Sequence, residues 1–131
     1  MKKQTPAKLK KNLDAIFSKY IRAFYSVNGI CTCYTCGKQK PIKEIQNGHF
    51  IPRNILITRW DENNCRPQCV GCNMFGGGKI LDFEDHLVKD LGREKVDQLK
   101  ASRFKIFKVD SIWYANKISE YEEKINSLQM P

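Results

Sequence analysis

Apolar residues recur at intervals of three and four positions near the beginning of the chain. This repeat is typical of an amphipathic helix, and it predicts one over residues 7–28, ended by Gly29. The apolar positions are Leu9, Leu13, Ile16, Phe17, Tyr20, Ile21 and Phe24. The opposite face is basic and carries Lys8, Lys10, Lys11, Lys19 and Arg22. The apolar side of this helix should therefore pack on a core.

The character of the chain changes over residues 30–78, which are rich in Cys, Gly, Asn and Pro. Two short segments, residues 45–51 and 55–60, have the composition of strands, and residues 52–54 between them suit a bend. We therefore expect a hairpin built from these two strands at the centre of the molecule.

Helical spacing returns over residues 79–131. Phe83, Leu87 and Leu91 lie on one face of a helix that ends at the next glycine, and a second short helix follows. Asp110 is placed to cap a final helix. Its buried side should comprise Ile112, Trp113, Ile118, Tyr121, Ile125 and Leu128. The order of elements predicts an α+β protein, with N- and C-terminal helices on either side of a hairpin core.

Length and charge narrow the class of protein. The chain has 131 residues, which suits a single domain over residues 1–131 and not two full cores. No apolar run approaches the ~20 residues that cross a bilayer, and the basic opening lacks the apolar segment of a secretory signal. We therefore expect a cytoplasmic protein with no membrane partner. Lys and Arg number 23 against 14 Asp and Glu, a net charge of +9, which favours a nucleic-acid partner.

Two C-x-x-C pairs account for four of the six cysteines: Cys33, Cys36, Cys69 and Cys72. Each pair sets two thiolates at adjacent corners of a tetrahedron, so the two pairs together predict a structural zinc site. Disulfides are the alternative, but a cytoplasmic compartment disfavours them. Cys31 and Cys65 are left over and are interpreted as free or packed thiols. A zinc ion with four thiolates has no open position, so any catalysis must come from other groups.

His49, one of only two histidines, lies between the cysteine pairs, and Asn64 and Asn73 flank the second pair. A lone histidine is by default a packed or solvated residue. This order of side chains, however, resembles the motif of HNH nucleases, whose ββα-metal unit is often built on a zinc-bearing hairpin. The resemblance implies a small zinc-stabilised, HNH-like or treble-clef-like core over residues 30–78. It also implies catalytic roles for the histidine and both asparagines, with Asn64 orienting the hairpin.

A closer resemblance involves a series of short segments. They read CYTCGK, NGHFIPR, RWDENN, QCVGCN and LGREKVDQL and extend over roughly residues 33–99. The series is similar to the phage recombination protein family NinG, also called Rap. Phage endonuclease VII is a more distant parallel. The NinG resemblance implies a phage- or prophage-encoded endonuclease that acts in the bacterial host on branched DNA, including Holliday junctions.

The resemblance also implies a catalytic cation, Mg²⁺ or Mn²⁺. Many HNH enzymes place an Asp ligand directly before the histidine, whereas this chain has Gly48 there, as the NinG pattern does. A hard cation then needs another oxygen ligand. Asp61 and Glu62 are the nearest candidates, although both also suit an ordinary turn. The resemblance favours Asp61, together with Asn73, as the ligands.

The expected chemistry is hydrolysis of a phosphodiester to give 5′-phosphate ends. Neutral His49 would accept a proton from water, because the histidine pKa of ~6.5 lies near working pH. Arginine side chains suit phosphate oxygens, and three lie near the motif. The predicted DNA contacts are Arg53, Arg59, Arg66 and Lys79. Each could instead be a solvated surface residue.

Rival interpretations use the same residues differently. A zinc-containing nucleic-acid-binding module without activity would explain the charge and the cysteines, but not the order of His49, Asn64 and Asn73. A general or restriction-like HNH nuclease would normally carry a further sequence-reading element. The terminal helices could also serve as a scaffold for protein interactions.

A homodimer is the expected active species. A four-way junction is two-fold symmetric and needs paired cuts, which two copies of one active site would supply. Tyr20, Phe24, Trp113 and Tyr121 are the residues predicted nearest the contact. The alternative is that the terminal helices pack on each other within one chain.

Overall fold

The computed structural model describes residues 4–129 of the chain and has an α+β architecture. The helices are α1 (Pro6–Phe24), α2 (Leu56–Arg59), α3 (Ile80–Leu91), α4 (Arg93–Ser102) and α5 (Ser111–Gln129). The strands are β1 (Ser26–Val27), β2 (Ile30–Thr32), β3 (Gln39–Pro41), β4 (Ile45–His49) and β5 (Cys65–Cys69). Two 3-10 turns, Ile42–Glu44 and Glu62–Asn64, and one π-helical turn, Gly71–Phe75, complete the ordered elements.

Helix α1 begins with a side-chain cap and ends earlier than its apolar repeat predicts. Thr5 accepts a hydrogen bond from the backbone N–H of Lys8 at 3.2 Å, which satisfies one of the free N–H groups of the first turn. The helix ends at Phe24, so its predicted end at residue 28 is wrong by four residues. Asn28 and Gly29 both have positive φ, 52° and 77°, and form the tight turn of the β1–β2 hairpin.

The central hairpin pairs β4 with β5, not with residues 55–60. The antiparallel register places Ile45 opposite Cys69 and His49 opposite Cys65. The predicted strand over residues 55–60 is wrong, since this segment forms the short helix α2. The sequence does not indicate β5 as the partner of β4, because β5 contains Pro67 and proline has no N–H for a sheet ladder. It is tolerated here because β4–β5 is a two-stranded sheet.

Two apolar clusters flank this hairpin. In the first, α1 packs against α5, with Phe17 meeting Tyr121 edge to face at a ring-centroid distance of 4.9 Å. In the second, α3 and α4 pack beneath the chain that leaves β4; it comprises Phe50, Ile51, Phe83, Leu87, Val96 and Leu99. The hairpin is therefore held from both sides, which fixes the residues that it carries.

The last helix confirms its predicted cap but not its whole buried face. Asp110 accepts a hydrogen bond from the backbone N–H of Trp113 at 2.9 Å. Ile112 and Leu128, predicted to be buried, are exposed, and Tyr114 is buried instead. None of the helices within residues 4–129 is long and apolar enough to cross a membrane.

Candidate functional site

The two C-x-x-C pairs meet beside the central hairpin. The Sγ atoms of Cys33, Cys36, Cys69 and Cys72 all lie within 4.8 Å of one another. The Cys36 and Cys69 sulfurs are 3.7 Å apart, and the backbone N–H of Cys72 donates to the Cys69 sulfur at 3.4 Å. A tetrahedral zinc ion with Zn–S bonds of ~2.3 Å has sulfur–sulfur edges of about 3.8 Å. The cluster therefore could hold a zinc ion.

The local environment also favours a cation between these sulfurs. Burial acts to raise the pKa of the Cys33 thiol, but hydrogen bonds from backbone N–H groups and from Thr35 outweigh it and lower that pKa to about 6. Burial, followed by the neighbouring thiols, raises the pKa of Cys72 to about 12. Four thiolates can share this space only when a positive charge lies among them.

The remaining two cysteines are buried free thiols outside the four-sulfur group, and Cys31 packs in the same buried cluster as three members of that group. Cys31 lies on β2, and Cys65 packs in the α1–α5 core. Burial raises the pKa of both thiols, which keeps them protonated. Their predicted status as packed thiols agrees with this placement.

His49 lies at the end of β4 and lines an open pocket of about 710 Å³. The pocket is bounded by α1, β4, the π-helical turn and the glycine-rich segment after it. Its polar lining comprises Lys11, Asp14, Ser18, Gln46, Asn47, Arg53 and Asn73. The structure thus brings His49 and Asn73 to one pocket, as the sequence motif predicts.

The His49 ring is fixed by the main chain of α2. Its Nε2 lies 2.9 Å from the carbonyl oxygen of Arg59. A carbonyl oxygen can only accept, so Nε2 carries the hydrogen and Nδ1 keeps the free lone pair of the neutral ring. Burial first, and then the charges of Arg53 and Arg59, lower the pKa of His49 below its usual value. The imidazole is therefore neutral and basic near pH 7.

Asp14 of α1 holds the arginine whose carbonyl fixes His49. Its two carboxylate oxygens accept from Arg59 at 2.9 and 2.5 Å, from Trp60 Nε1 at 2.9 Å and from Arg53 at 3.1 Å. These interactions, led by the Arg59 hydrogen bond, outweigh burial and lower the pKa of Asp14. Sequence reasoning missed this residue. Its signal is that Asp14 is the one acidic residue in an otherwise basic helix.

Asn64 is fully buried and joins the segments on either side of α2. Its Oδ1 accepts from the backbone N–H of Ile51 at 2.7 Å, and its Nδ2 donates to the carbonyls of Ile51 and Thr58 at 3.1 and 3.0 Å. All of its amide is engaged in holding the loop that carries Arg59. This placement suits an orienting role and leaves the amide no contact with a substrate.

The other amides of the pocket are arranged differently. Asn73 donates through Nδ2 to Gln46 Oε1 at 2.8 Å, so its own amide oxygen is the atom left for other partners. Asn47 has a buried Oδ1 with no hydrogen-bond partner within the described residues. Such an orphaned acceptor fits a cation or a water at this position.

Asp61 is not brought to this pocket. It lies in a separate depression beside Trp60 and Trp113, and its Oδ1 accepts from the backbone N–H of Asn63 at 2.9 Å. Asp14 is the one carboxylate among the described residues that line the His49 pocket, and four donors already occupy it. The prediction of Asp61 as a cation ligand finds no support in this geometry.

The predicted DNA-contacting side chains also separate into two groups. Arg53 and Lys79 are exposed, and Arg53 lines the pocket. The Arg59 side chain is only 13% exposed and is paired with Asp14. Arg66 is buried between the rings of Tyr25 and Tyr34 and donates to the carbonyls of Glu62 and Cys65. Both of these arginines are therefore committed to the protein itself.

Comparison with known proteins places the chain in a family. A family model described as "Bacteriophage Lambda NinG protein" matches residues 1–130. The chain belongs to the NinG family. Proteins called "Protein ninG" are similar to it: that of Escherichia phage lambda is 24% identical over 101 residues, 74% of this chain and 47% of that protein.

Two further relatives match over shorter stretches. "Protein ninG" of Escherichia phage 933W is 26% identical over 70 residues, 53% of this chain and 35% of that protein. That of Enterobacteria phage H19B is 34% identical over 44 residues, 34% of this chain and 22% of that protein. The chain thus spans less than half the length of these NinG relatives. No solved structure matches it.

Gly48 in this NinG chain has a steric explanation. A Cβ atom built on it would lie 1.9 Å from Gln68 Oε1. Gln68 is fully buried and donates through Nε2 to Thr35 at 3.1 Å and to the Gly78 carbonyl at 2.8 Å. The space that a side chain at position 48 would take is therefore filled by a glutamine that ties the hairpin to the first cysteine pair and to the glycine-rich segment.

We expect Gly48→Ala to destabilise the fold by about 1–3 kcal/mol, because the added methyl displaces Gln68 from its two hydrogen bonds. Thermal unfolding would measure the loss. Gly71→Ala is the control, since its methyl would meet only the Cys69 sulfur at 3.8 Å. The double variant Gly48→Ala/Gln68→Ala should lose less stability than the sum of the losses of the two single variants. Additive losses would contradict the proposed clash.

Proposed function

We propose that this NinG-family chain is a metal-dependent, structure-selective DNA endonuclease of the HNH type, which cleaves branched DNA such as Holliday junctions during phage recombination. One observation carries the proposal: His49 has its Nε2 fixed by a main-chain carbonyl and its Nδ1 free, in a pocket shared with Asn73 and next to a four-cysteine cluster. The order β4, β5 and helical turn is also the order of a ββα-metal unit.

The basic group in the proposed reaction is Nδ1 of His49. It accepts a proton from a water molecule, whose oxygen then attacks the phosphorus atom in line with the departing 3′ oxygen. The Arg59 carbonyl keeps the ring in the required tautomer and stabilises the imidazolium that forms. Cleavage leaves a 5′-phosphate and a 3′-hydroxyl.

Substrate binding in this proposal depends on exposed cations and on amide oxygens. Lys11 and Arg53 line the pocket and would hold phosphates on either side of the reacting one. The amide oxygens of Asn73 and Asn47 would hold Mg²⁺ or Mn²⁺ together with the phosphate. That cation, when bound, supplies charge neutralisation on the phosphate and on the leaving oxygen.

The decisive experiment compares cleavage of a four-way junction with cleavage of a linear duplex of equal sequence, with Mg²⁺ and without any added divalent cation, so that the cysteine-bound zinc stays in place. We expect paired nicks in the junction arms with Mg²⁺ only. Junction binding without nicking would favour the non-catalytic zinc-containing module. Equal cleavage of junction and duplex would favour a general nuclease.

We also propose that the active species is a homodimer, for the symmetry reason given above. Its contact does not use all of the predicted residues. Tyr20 and Tyr121 are buried within one chain, with ring centroids 5.3 Å apart, and Trp113 packs on Trp60. Phe24 remains exposed. Sedimentation with and without a junction tests the proposal, and a monomer that still makes paired nicks would contradict it.

Asp14→Asn is expected to lower the cleavage rate and to move its acid limb to lower pH. The carboxylate positions Arg59, and its charge also raises the pKa of His49, so its removal lowers that pKa further. Because cleavage needs neutral His49, a lower pKa means that activity persists to lower pH. A pH–rate profile measures the shift.

The matched control is Asp97→Asn, which removes an exposed carboxylate on α4 that pairs with Arg93. It should leave both the rate and the profile unchanged. A slower Asp14→Asn enzyme with an unshifted acid limb would mean that Asp14 acts only by positioning Arg59 and not through its charge on His49.

A further inference from the structure

Three exposed apolar side chains lie on the segment that forms one rim of the His49 pocket: Met74 lines the pocket, and Phe75 and Leu81 directly follow the lining residues Met74 and Ile80 in the chain. Phe75 is 86% exposed, Leu81 is 82% exposed and Met74 is 62% exposed. Met74 lines the pocket directly and lies next to Asn73 in the chain. Single exposed apolar residues are common on protein surfaces, but a group of them beside a candidate active site indicates an interaction surface.

The rim is held in place by the backbone that carries it. The N–H of Gly76 donates to the Gly71 carbonyl at 2.7 Å, and the N–H of Gly78 donates to the Cys72 carbonyl at 2.9 Å. The Gly78 carbonyl accepts from buried Gln68 at 2.8 Å. The segment after Phe75 is therefore tied to the second cysteine pair and to the hairpin core, and Phe75 is presented at a fixed position.

The charges around this rim favour a nucleic acid as the occupant. Lys11 and Arg53 line the same pocket, and exposed Lys79 follows the glycines. A ligand that meets apolar side chains and several cations together must combine flat apolar faces with negative charge. Nucleic-acid bases and their phosphates have this combination.

We propose that Phe75 stacks on a base that has lost a stacking neighbour at the branch point of the DNA. In a continuous duplex every base is stacked on both sides, so an exposed ring has no free face to cover. At a branch some bases present a face to solvent, and covering it with an aromatic ring is favourable. This contact would select branched over linear DNA. The inference rests on the proposed function only in taking DNA as the substrate.

The test is a double-mutant cycle between protein and DNA, measured as binding affinity without Mg²⁺ and without chelator, so that no cleavage is required and the cysteine-bound zinc stays in place. The proteins are the unaltered chain, Phe75→Ala and Phe75→Trp, and the DNAs are a four-way junction, the same junction with an abasic site at each branch nucleotide in turn, and a linear duplex. Phe104→Ala is the matched control, because Phe104 is 76% exposed and lies far along the chain, between α4 and α5. Zinc content and circular dichroism check that each variant is folded.

We expect Phe75→Ala to weaken junction binding by about five- to 150-fold, the range for removing one base–aromatic stack, and duplex binding by less than about twofold. Phe75→Trp should retain junction affinity. An abasic site at one branch nucleotide should weaken binding by the unaltered chain by a similar factor. The same abasic site should not weaken binding by Phe75→Ala any further. The Phe104 control should show no such coupling.

Three results would overturn the inference. Additive effects at every branch position, or equal losses for junction and duplex, would show that Phe75 does not recognise a branch-point base. A change in self-association without a change in DNA affinity would assign the rim to protein contact. Coupling in the absence of Mg²⁺ together with no cleavage in its presence would keep the inference and remove the nuclease proposal, whereas cleavage without coupling would do the reverse.

Discussion

Replacing His49 with alanine is expected to lower the cleavage rate by about 100- to 10,000-fold while DNA affinity and zinc content stay nearly unchanged. The general base acts in the transition state and not in ground-state contacts with the phosphate backbone. Its Nδ1 is the free nitrogen of a ring whose pKa burial lowers, so the reactive neutral form predominates near pH 7. Single-turnover cleavage of a junction measures the effect.

The chain supplies a matched control in its second histidine. His86 lies on α3, where its ring packs edge-on against Tyr34 at a centroid distance of 5.4 Å. His86→Ala should cleave at the normal rate. Normal cleavage by His49→Ala would instead return that residue to a packing role. Asn73→Ala should resemble His49→Ala, with partial recovery at high Mg²⁺, because it removes a cation ligand and not the base.

Loss of zinc is expected to unfold the hairpin region. We predict one zinc ion per chain on Cys33, Cys36, Cys69 and Cys72, and the binding energy of such an ion is folding energy, about 10 kcal/mol or more for structural sites in small domains. Chelation should therefore abolish the cooperative thermal transition of β4 and β5. Metal analysis of the purified protein and melting with and without chelator measure both parts.

Substitution of individual cysteines separates the cluster from the other thiols. Serine at Cys36 or Cys69 should remove the zinc and the transition together. Alanine at Cys31 should leave the zinc in place, since that thiol hydrogen-bonds to the Arg22 carbonyl and not to the cluster. Freshly purified, unchelated protein without zinc would contradict the prediction.

The features that sequence predicts well here are local ones. The two cysteines of each C-x-x-C pair lie within four residues, so the geometry of each pair follows from its short spacing. The clustering of the four sulfurs agrees with the predicted site. The start of the final helix is also predictable, because Asp110 caps it through a hydrogen bond to a residue only three positions away. The apolar repeat of α1 predicts its buried face but not its end, because the turn at Asn28 competes with the repeat.

The features that sequence misses depend on distant partners. Asp14 meets Arg59 across 45 positions of the chain, and Gln68 fills the space above Gly48 from the opposite strand. Residues 55–60 have strand-like composition but form α2, since Asn64 ties the carbonyl of Thr58 and both backbone groups of Ile51 into a closed loop. No short window contains both members of such a contact. A lone acid in a basic helix and a glycine in a strand are the two signals in the sequence that could have indicated them.

Asp14 binds the side chain of Arg59, and the Arg59 carbonyl holds His49. This chain of contacts has a consequence for the order in which the protein assembles. Among the described helices, α1 is the earliest in the chain, and it packs on α5, the last of them. The two cysteine pairs lie earlier and can close around an ion before α5 has left the ribosome. A nascent chain would then contain a folded zinc hairpin in which the His49 ring is not yet oriented. We expect the imidazole to reach its working geometry only when α1, which carries Asp14, has packed on the hairpin, so that a copy lacking this contact could hold zinc but not cut DNA.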